Sequence, residues 1–415
     1  MQPRRKRSPK EQRRSAQQRR GPITLHGDEE AAAALGAAWE AADGEGRHLT
    51  HGIHAWPARL HPGTARTLIE AFSVPGDTVL DPFCGGGTVV LEAAVAGRNG
   101  LGSDLNPLAV AIARMRTEPL PDRSRDELEA RARLAAERAS QEQLTRLSGP
   151  GADVLYAAID AHVLGELRGL VAAIRRETDV PTRRALELAL SAIVVKVSKR
   201  RSETEHHHVP REIGKGRAKE LFIAKAYELA RAHAELAHEL HGKTAVYRAD
   251  ARNFPLAEAT VDLVTTSPPY VGTYDYAAVQ ELRAALFQVP LTRTIDAEIG
   301  ARRLAFRDPD TALDRFHDDL ANVLAEMRRV LRSSGCAVIV VGDSFARERH
   351  IDALAVVDDL AGRVGLQIVA AATQERAVQF RPVKDRVRRH GEHLVLLAPT
   401  TGSRAGHSRG RGKES

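Results

Sequence analysis

The chain has 415 residues, 43% of them hydrophobic, with two cysteines and a formal net charge of +7. That length supports a large buried core, either in one elaborated domain or in two to three small ones, while the longest apolar stretches fall far short of the roughly 20 residues of a membrane-crossing helix. Cys84 and Cys336 are too few and too far apart for a disulfide framework, and no apolar stretch follows the basic start as a secretory leader would require, so a reducing cytoplasm without membrane attachment is expected.

The charge sits at the ends. Residues 1–20 contribute +8 and residues 401–415 add +3, which leaves the body net acidic by four. Residues 1–22 and 401–415 therefore read as disordered basic arms able to hold phosphate backbone through counterion release. Within the body, the basic runs 196–201, 211–219 and 381–389 are better candidates for a nucleic-acid track than the global charge.

The first strong element is the apolar run 78–83, which ends in Asp81-Pro82-Phe83 and leads through Gly85, Gly86 and Gly87 into a helical pattern over 88–96. A second short strand, 100–104, ends in Asp104 and precedes a helix over 108–116. From about 121 to 241 the composition turns to Ala, Leu, Glu and Arg, with apolar residues at three and four spacing such as Leu164, Leu167, Leu170, Val171 and Ile174. This is a helical block, interrupted by a charged, histidine- and glycine-rich stretch over 199–216 that reads as a mobile loop.

Strands resume at 245–250, ending in Asp250, and at 261–266, ending in Thr266; a helix is expected over 313–331, a fully buried strand over 335–343, a helix over 351–364, and a closing pair of strands over 365–372 and 393–398. Strands alternating with helices predict an α/β, doubly wound, Rossmann-like sheet, mostly parallel, with one long helical insertion between its second and third strands. The corresponding division is a first part over 23–118, an insertion over 119–243 and a second part over 244–400.

Such sheets bind ligands at the carboxyl ends of their strands near the switch point, where glycines let backbone approach closely. The dinucleotide pattern G-x-G-x-x-G fails here because Gly87 is followed by Thr88, Val89 and Val90, and a P-loop fails because no Lys-Ser or Lys-Thr follows the glycines. Three strands ending in acids, Asp81, Asp104 and Asp250, point to a ligand offering a ribose and an amino-bearing ring, of which adenosine is the economical choice. The turn Ser267-Pro268-Pro269-Tyr270 follows an apolar strand, and its two prolines leave rigid, outward carbonyls. Ser267 Oγ and the Pro268 carbonyl can accept both N–H groups of a conjugated exocyclic amine and favour its pyramidal, nucleophilic form; Tyr270 offers a ring on which an extracted base can stack.

In this order, these residues resemble the amino-directed DNA methyltransferases, the N4-cytosine and N6-adenine group that uses S-adenosyl-L-methionine. The glycine motif corresponds to Asp81, Pro82, Phe83, Cys84, Gly85, Gly87 and Thr88, and the catalytic motif to Ser267, Pro268, Pro269 and Tyr270. The segment 54–62, beginning at His54, is similar to the element implied to hold the methionine end of the cofactor. The resemblance further implies that Asp104 meets the ribose and Asp250 the adenine, with Thr266 on the cofactor side. Similarity continues through Tyr274-Asp275-Tyr276, residues 298–303, Gly342-Asp343-Ser344 and 386–393, covering about two-thirds of the chain.

It implies methyl transfer to an exocyclic amino group of a flipped base in double-stranded DNA, with room for a cognate restriction nuclease. Serine at position 267 leans toward cytosine N4 over adenine N6. The sequence does not set an oligomeric state. One departure is the placement of the long insertion before the third strand, so its assignment to target recognition is an inference from position.

Two other functions share parts of this pattern. An RNA methyltransferase of the tRNA guanosine-N2 type carries a similar glycine turn but Asp before Pro-Pro-Tyr, and an inactive nucleic-acid-binding module would have no need of both motifs. Cys84 and Cys336 do not fit the nucleophile of a 5-methylcytosine enzyme. No metal site is expected: His206, His207 and His208 lack helical spacing, and His51, His54 and His61 read as site-lining or hydrogen-bonding residues.

Overall fold

The computed structural model describes residues 20–42, 46–143, 145–149, 151–204, 207–346, 349–376 and 390–400. Its strands are β1 (Arg20–Gly27), β2 (Thr78–Asp81), β3 (Asn99–Asp104), β4 (Thr244–Arg248), β5 (Val261–Thr266), β6 (Leu331–Gly342), β7 (Ser344–Ala346), β8 (Arg349–Ile351), β9 (Leu366–Arg376) and β10 (His390–Pro399). Among the described residues, eight of these form one sheet in the order β1-β9-β10-β6-β5-β2-β3-β4, and β7 pairs with β8 as a separate hairpin. The block from β4 to β6 is parallel, while β10 lies antiparallel between β6 and β9, and β1 is antiparallel to β9. The doubly wound sheet expected from the alternation is therefore present, with an antiparallel edge added on one side.

Both faces are covered, which is why the central strands read as unbroken apolar runs. Successive residues point to opposite faces. Val79, Leu263, Val338 and Leu394 meet Leu35, Trp39, Leu68 and Ile69 of the helices Glu29–Glu40 and Pro62–Phe72. Their neighbours Leu80, Val264, Ile339 and Val395 meet Leu320, Leu324, Val357 and Leu360 of Pro309–Val330 and Ala353–Arg363.

The insertion consists of the helices Asp122–Ala139, Ala152–Ala158, Ala161–Arg175, Val180–Ile193 and Arg217–Glu239. Its core of Leu128, Leu167, Leu170, Leu186, Phe222 and Leu229 is continuous with Ile53, Ile112, Met115, Leu282 and Leu286 of the main domain. It is thus packed onto residues of the chain on both sides of it, 53–115 and 282–286.

Several elements differ from expectation. Residues 20–22, assigned to the basic arm, begin β1, whose alternating Ile23 and Leu25 were too short a signal to register. The helix Glu29–Glu40 follows, capped by Asp28 accepting from the Ala31 N–H at 3.0 Å and anchored by Trp39, whose indole N–H donates to the Ala372 carbonyl at 2.9 Å. Between β5 and β6 lie four unforeseen short helices, Tyr276–Val279, Glu281–Phe287, Thr292–Ala297 and Arg302–Arg307. In the stretch read as a mobile loop, Arg200 is buried and bridges to His208. The rest of the arm, the tail, His206 and the basic run 381–389 lie outside the described residues. No helix among those residues is long and apolar enough to cross a membrane.

Candidate active site

After β3 and β4 the chain crosses back to lay β5 against the other side of β2, which puts the carboxyl ends of β2 and β5 at the switch point of the sheet. The two motifs meet there. Thr266, last residue of β5, donates its hydroxyl to Asp81 Oδ1 at 2.6 Å, and Asp81 also accepts the Phe83 N–H at 3.1 Å. Burial pushes the Asp81 carboxyl up to about 7; the Thr266 and Phe83 hydrogen bonds oppose that rise and the charge of Asp104 adds to it.

The glycine turn is tight for identifiable reasons. Gly85 has φ +48°, and a Cβ there would lie 2.5 Å from Trp56 Nε1. At Gly86 a Cβ would lie 2.4 Å from Arg116 Nη1, the same group that donates to the Gly86 carbonyl at 2.8 Å. Arg116 is fully buried, which lowers its guanidinium to about 9, and it also donates to the His54 carbonyl. Gly87, with φ +81°, starts the helix Thr88–Val95. Thr88 is buried, and its hydroxyl has no hydrogen-bond partner among the described residues.

Asp104 closes the second side, accepting the Gly85 N–H at 3.1 Å and the Asn106 N–H at 2.8 Å. Burial raises it to about 6 against those bonds. Asp250, just past β4, is held by Arg252, whose Nε and Nη2 lie 2.9 and 2.7 Å from its oxygens. Burial raises its carboxyl, and the Arg252 bonds outweigh that, leaving it below the usual range.

A cavity of about 110 Å³ joins these parts: Phe83, Gly85, Asp104 and Asp250 line it together with Ser267 and Pro269. Trp56, inside the segment 54–62, and Tyr276 and Glu298, inside the later stretches of similarity, are not singled out by the sequence as site residues, yet all three are in the cavity wall. Trp56 is one of only two tryptophans in the chain, a signal that could have flagged it. Glu298 accepts the Tyr276 N–H and pairs with Arg303; burial raises its carboxyl, and Arg303 opposes the rise.

Pro82 is in the wall too, while Asp81, Gly87, Thr88, Thr266 and Pro268 are not among the residues lining it, and three further expected site residues fall elsewhere. The ring nitrogens of His54 lie 2.7 Å from the Ala55 carbonyl and 3.0 Å from Ser191 Oγ, so it braces the insertion and is absent from the cavity wall. Cys84 packs its side chain with Val90, Val110, Ala113 and Val246. Tyr270 is half-buried beside the cavity, outside the residues lining it; its hydroxyl donates to Glu392 at 3.1 Å and its ring lies where a Cβ on Gly342 would stand. Burial and the Glu392 charge hold its phenol well above the ordinary value.

Two further features need placing. A larger cavity of about 550 Å³ lies between the helix Pro107–Thr117 and the insertion, but neither a strand-end acid nor any of residues 267–270 lines it, so the chemistry does not converge there. His48 and His51 both place Nε2 on Glu92 Oε1, at 3.1 and 2.6 Å, a grouping close enough for a cation that was not foreseen. Arg66, 2.8 Å from the other oxygen of Glu92, already supplies positive charge there.

The sequence profile of the D12 class N6 adenine-specific DNA methyltransferases matches residues 65–285, and a DNA methylase profile matches residues 2–115. Among curated proteins the chain is 32% identical over 77 residues to Type II methyltransferase M.MvaI of Kocuria varians, covering 18% of this chain and 17% of that one. It is 41% identical over 69 residues to Type II methyltransferase M.MthZI of Methanothermobacter thermautotrophicus, covering 16% and 19%. The matched segments thus span less than a fifth of either relative. Among solved structures, a TehB-like SAM-dependent methyltransferase from Corynebacterium glutamicum aligns over 81% of this chain and 86% of its own, at 12% identity and a TM-score of 0.30; the fold assignment rests on the strand order instead.

Proposed function

Since the chain belongs to the amino-directed DNA methyltransferases, the family matched over more than half of its residues, we propose that it methylates the exocyclic amino group of a base in double-stranded DNA, cytosine N4 in preference to adenine N6. The observation that carries this is the single cavity lined by Phe83 and Gly85 of the glycine motif and by Ser267 and Pro269 of the Ser-Pro-Pro-Tyr turn, with the Thr266–Asp81 hydrogen bond joining the two strand ends.

The donor set fits S-adenosylmethionine. Asp104 and Asp250, both in the cavity wall, retain acceptor lone pairs for ribose hydroxyls and a ring amine. The cavity of about 110 Å³ is smaller than the roughly 300 Å³ at the small end of ligand pockets and is open rather than enclosed, so it holds part of such a ligand. When bound, the cofactor supplies a methyl group on a sulfonium, an electrophile needing no metal or strong base.

The protein's own part is positioning. Ser267 Oγ and the Pro268 carbonyl accept the two N–H groups of the amine and hold its lone pair toward the donor side of the cleft. Asp81, by fixing Thr266, orients the strand end that carries them. After methyl transfer the nitrogen is cationic and loses its proton readily, so Ser267 need not act as a base. Tyr270, still partly exposed, stacks on the extruded base, and the insertion, packed against both halves, reads the target.

Incubation with a labelled methyl donor and genomic DNA, followed by nucleoside mass spectrometry, tests this. N4-methyldeoxycytidine is the expected product, on the strength of Ser267. N6-methyldeoxyadenosine is the second reading, favoured by the D12 class match. Neither product from DNA of several sources would sink the proposal, and labelling of tRNA instead would redirect it.

A further inference from the structure

The four short helices after the Ser-Pro-Pro-Tyr turn are more than a connection between β5 and β6. Thr294, Ala297, Glu298 and Ile299 form one wall of the cavity, and the segment is bolted down immediately beyond Tyr270. The Gly272 N–H donates to the Gly300 carbonyl at 3.0 Å and the Arg302 N–H to the Tyr274 carbonyl at 3.2 Å. Arg303 donates from its backbone to Asp275 at 3.0 Å and from its side chain to Asp275 and Glu298. Ala305 is fully buried in the core of the main domain. The helix Arg302–Arg307 is thus a fixed rim beside the cavity.

What this rim turns outward is unusual for a soluble surface. Phe306 is 51% exposed and Ile295 is 42% exposed; of the eight large hydrophobic residues exposed among the described residues, these two fall in one sixteen-residue stretch while the other six are spread over five elements and one loop. Arg302 lies over the Phe306 ring, with its guanidinium carbon 5.1 Å from the centroid. Arg293, Arg302 and Arg307 are exposed on the two helices, against the exposed acids Asp296 within them and Asp308 directly after the second. A cation paired with an exposed ring suits a polyanion whose stack has been opened, since the cation meets phosphate and the ring meets a base face.

We propose that the Arg302–Arg307 helix is the surface that grips the DNA strand beside the extruded base, Arg302 contacting phosphate and Phe306 entering the stack at the position the base leaves. This rests on the DNA reading of the active site and extends it to named contacts outside the catalytic motif. Both side chains are exposed and neither is in the cavity wall, so their replacement leaves the fold and the reacting groups in place.

The test is fluorescence-anisotropy titration of the full chain with a labelled mixed-sequence duplex, intact or with a single central abasic site, across a salt series. The wild type should prefer the abasic duplex. Phe306→Ala should lose that preference, by about tenfold, with intact-duplex affinity nearly unchanged, and Phe306→Tyr should keep it. Arg302→Glu should weaken binding to both duplexes and lower the salt slope by about one unit. Variants indistinguishable from a wild type that does methylate DNA would overturn the rim and leave the catalytic reading standing. A change in sedimentation without a change in DNA binding would overturn it in favour of a protein–protein contact. A wild type that neither binds nor methylates DNA would remove both.

Discussion

Asp81 and Asp104 lie where burial opposes ionisation, with carboxyls at about 7 and about 6. Because both folded-state values exceed the unfolded one near 4, the folded chain holds more protons between about pH 4 and 7. Their contribution to stability is therefore full below pH 4 and lost as pH rises through 6 to 7. Ligand binding runs the other way, since a cationic donor with ribose hydroxyls favours the ionised acids. Calorimetric affinity for the methyl donor should rise between pH 5.5 and 8 on account of these raised carboxyls, and Asp81→Asn should flatten the upper part of that rise. Thr266→Val removes the hydroxyl from a buried carboxyl, and a loss of about 1–3 kcal/mol by urea denaturation is expected. At His54 the resemblance of the segment 54–62 implied a cofactor contact, whereas its ring nitrogens lie against the Ala55 carbonyl and Ser191 Oγ.

The glycine turn and the insertion depend on contacts between elements. Gly85→Ala would place a methyl group against the Trp56 ring at a φ that disfavours side chains, so donor affinity should fall at least about tenfold while circular dichroism stays native. The insertion is clasped to the catalytic half by crossed ion pairs, Arg200 to Glu281 and Arg283 to Glu203 at 2.7 Å. Arg283 is fully buried and also donates to the Ser191 carbonyl at 3.0 Å, on the helix that carries the His54 partner. Arg283→Met should cost about 3–5 kcal/mol in urea denaturation by leaving Glu203 unpaired, and Glu203→Gln in the same chain should recover part of it. The helices of the insertion were visible from their apolar spacing. Their docking was not, because partners 80 and 81 residues apart leave no periodic trace.

For the molecule as a whole, the net charge of +7 belongs to the ends, which leave an acidic body when removed. Deleting residues 1–19 and 401–415 should weaken binding to mixed-sequence DNA and flatten its salt dependence while methyl transfer at low salt persists, checked by anisotropy and by label incorporation. The parallel core was legible because strand segments buried on both faces must be apolar, as over 337–341 in β6, and the site because glycines and strand-end acids are rare where packing alone decides. The insertion of β10 between β6 and β9, the edge strand β1, and the meeting of Tyr276 and Glu298 with Trp56 of the segment 54–62 in one cavity wall were not legible. Local sequence carried the backbone conformations, the turn chemistry and the kind of ligand, since those depend on neighbours a few residues away. Which strands pair, which face a helix covers and which distant side chains close a cleft were settled only on folding, because those choices follow from the fit of whole surfaces and from charges brought together across the chain.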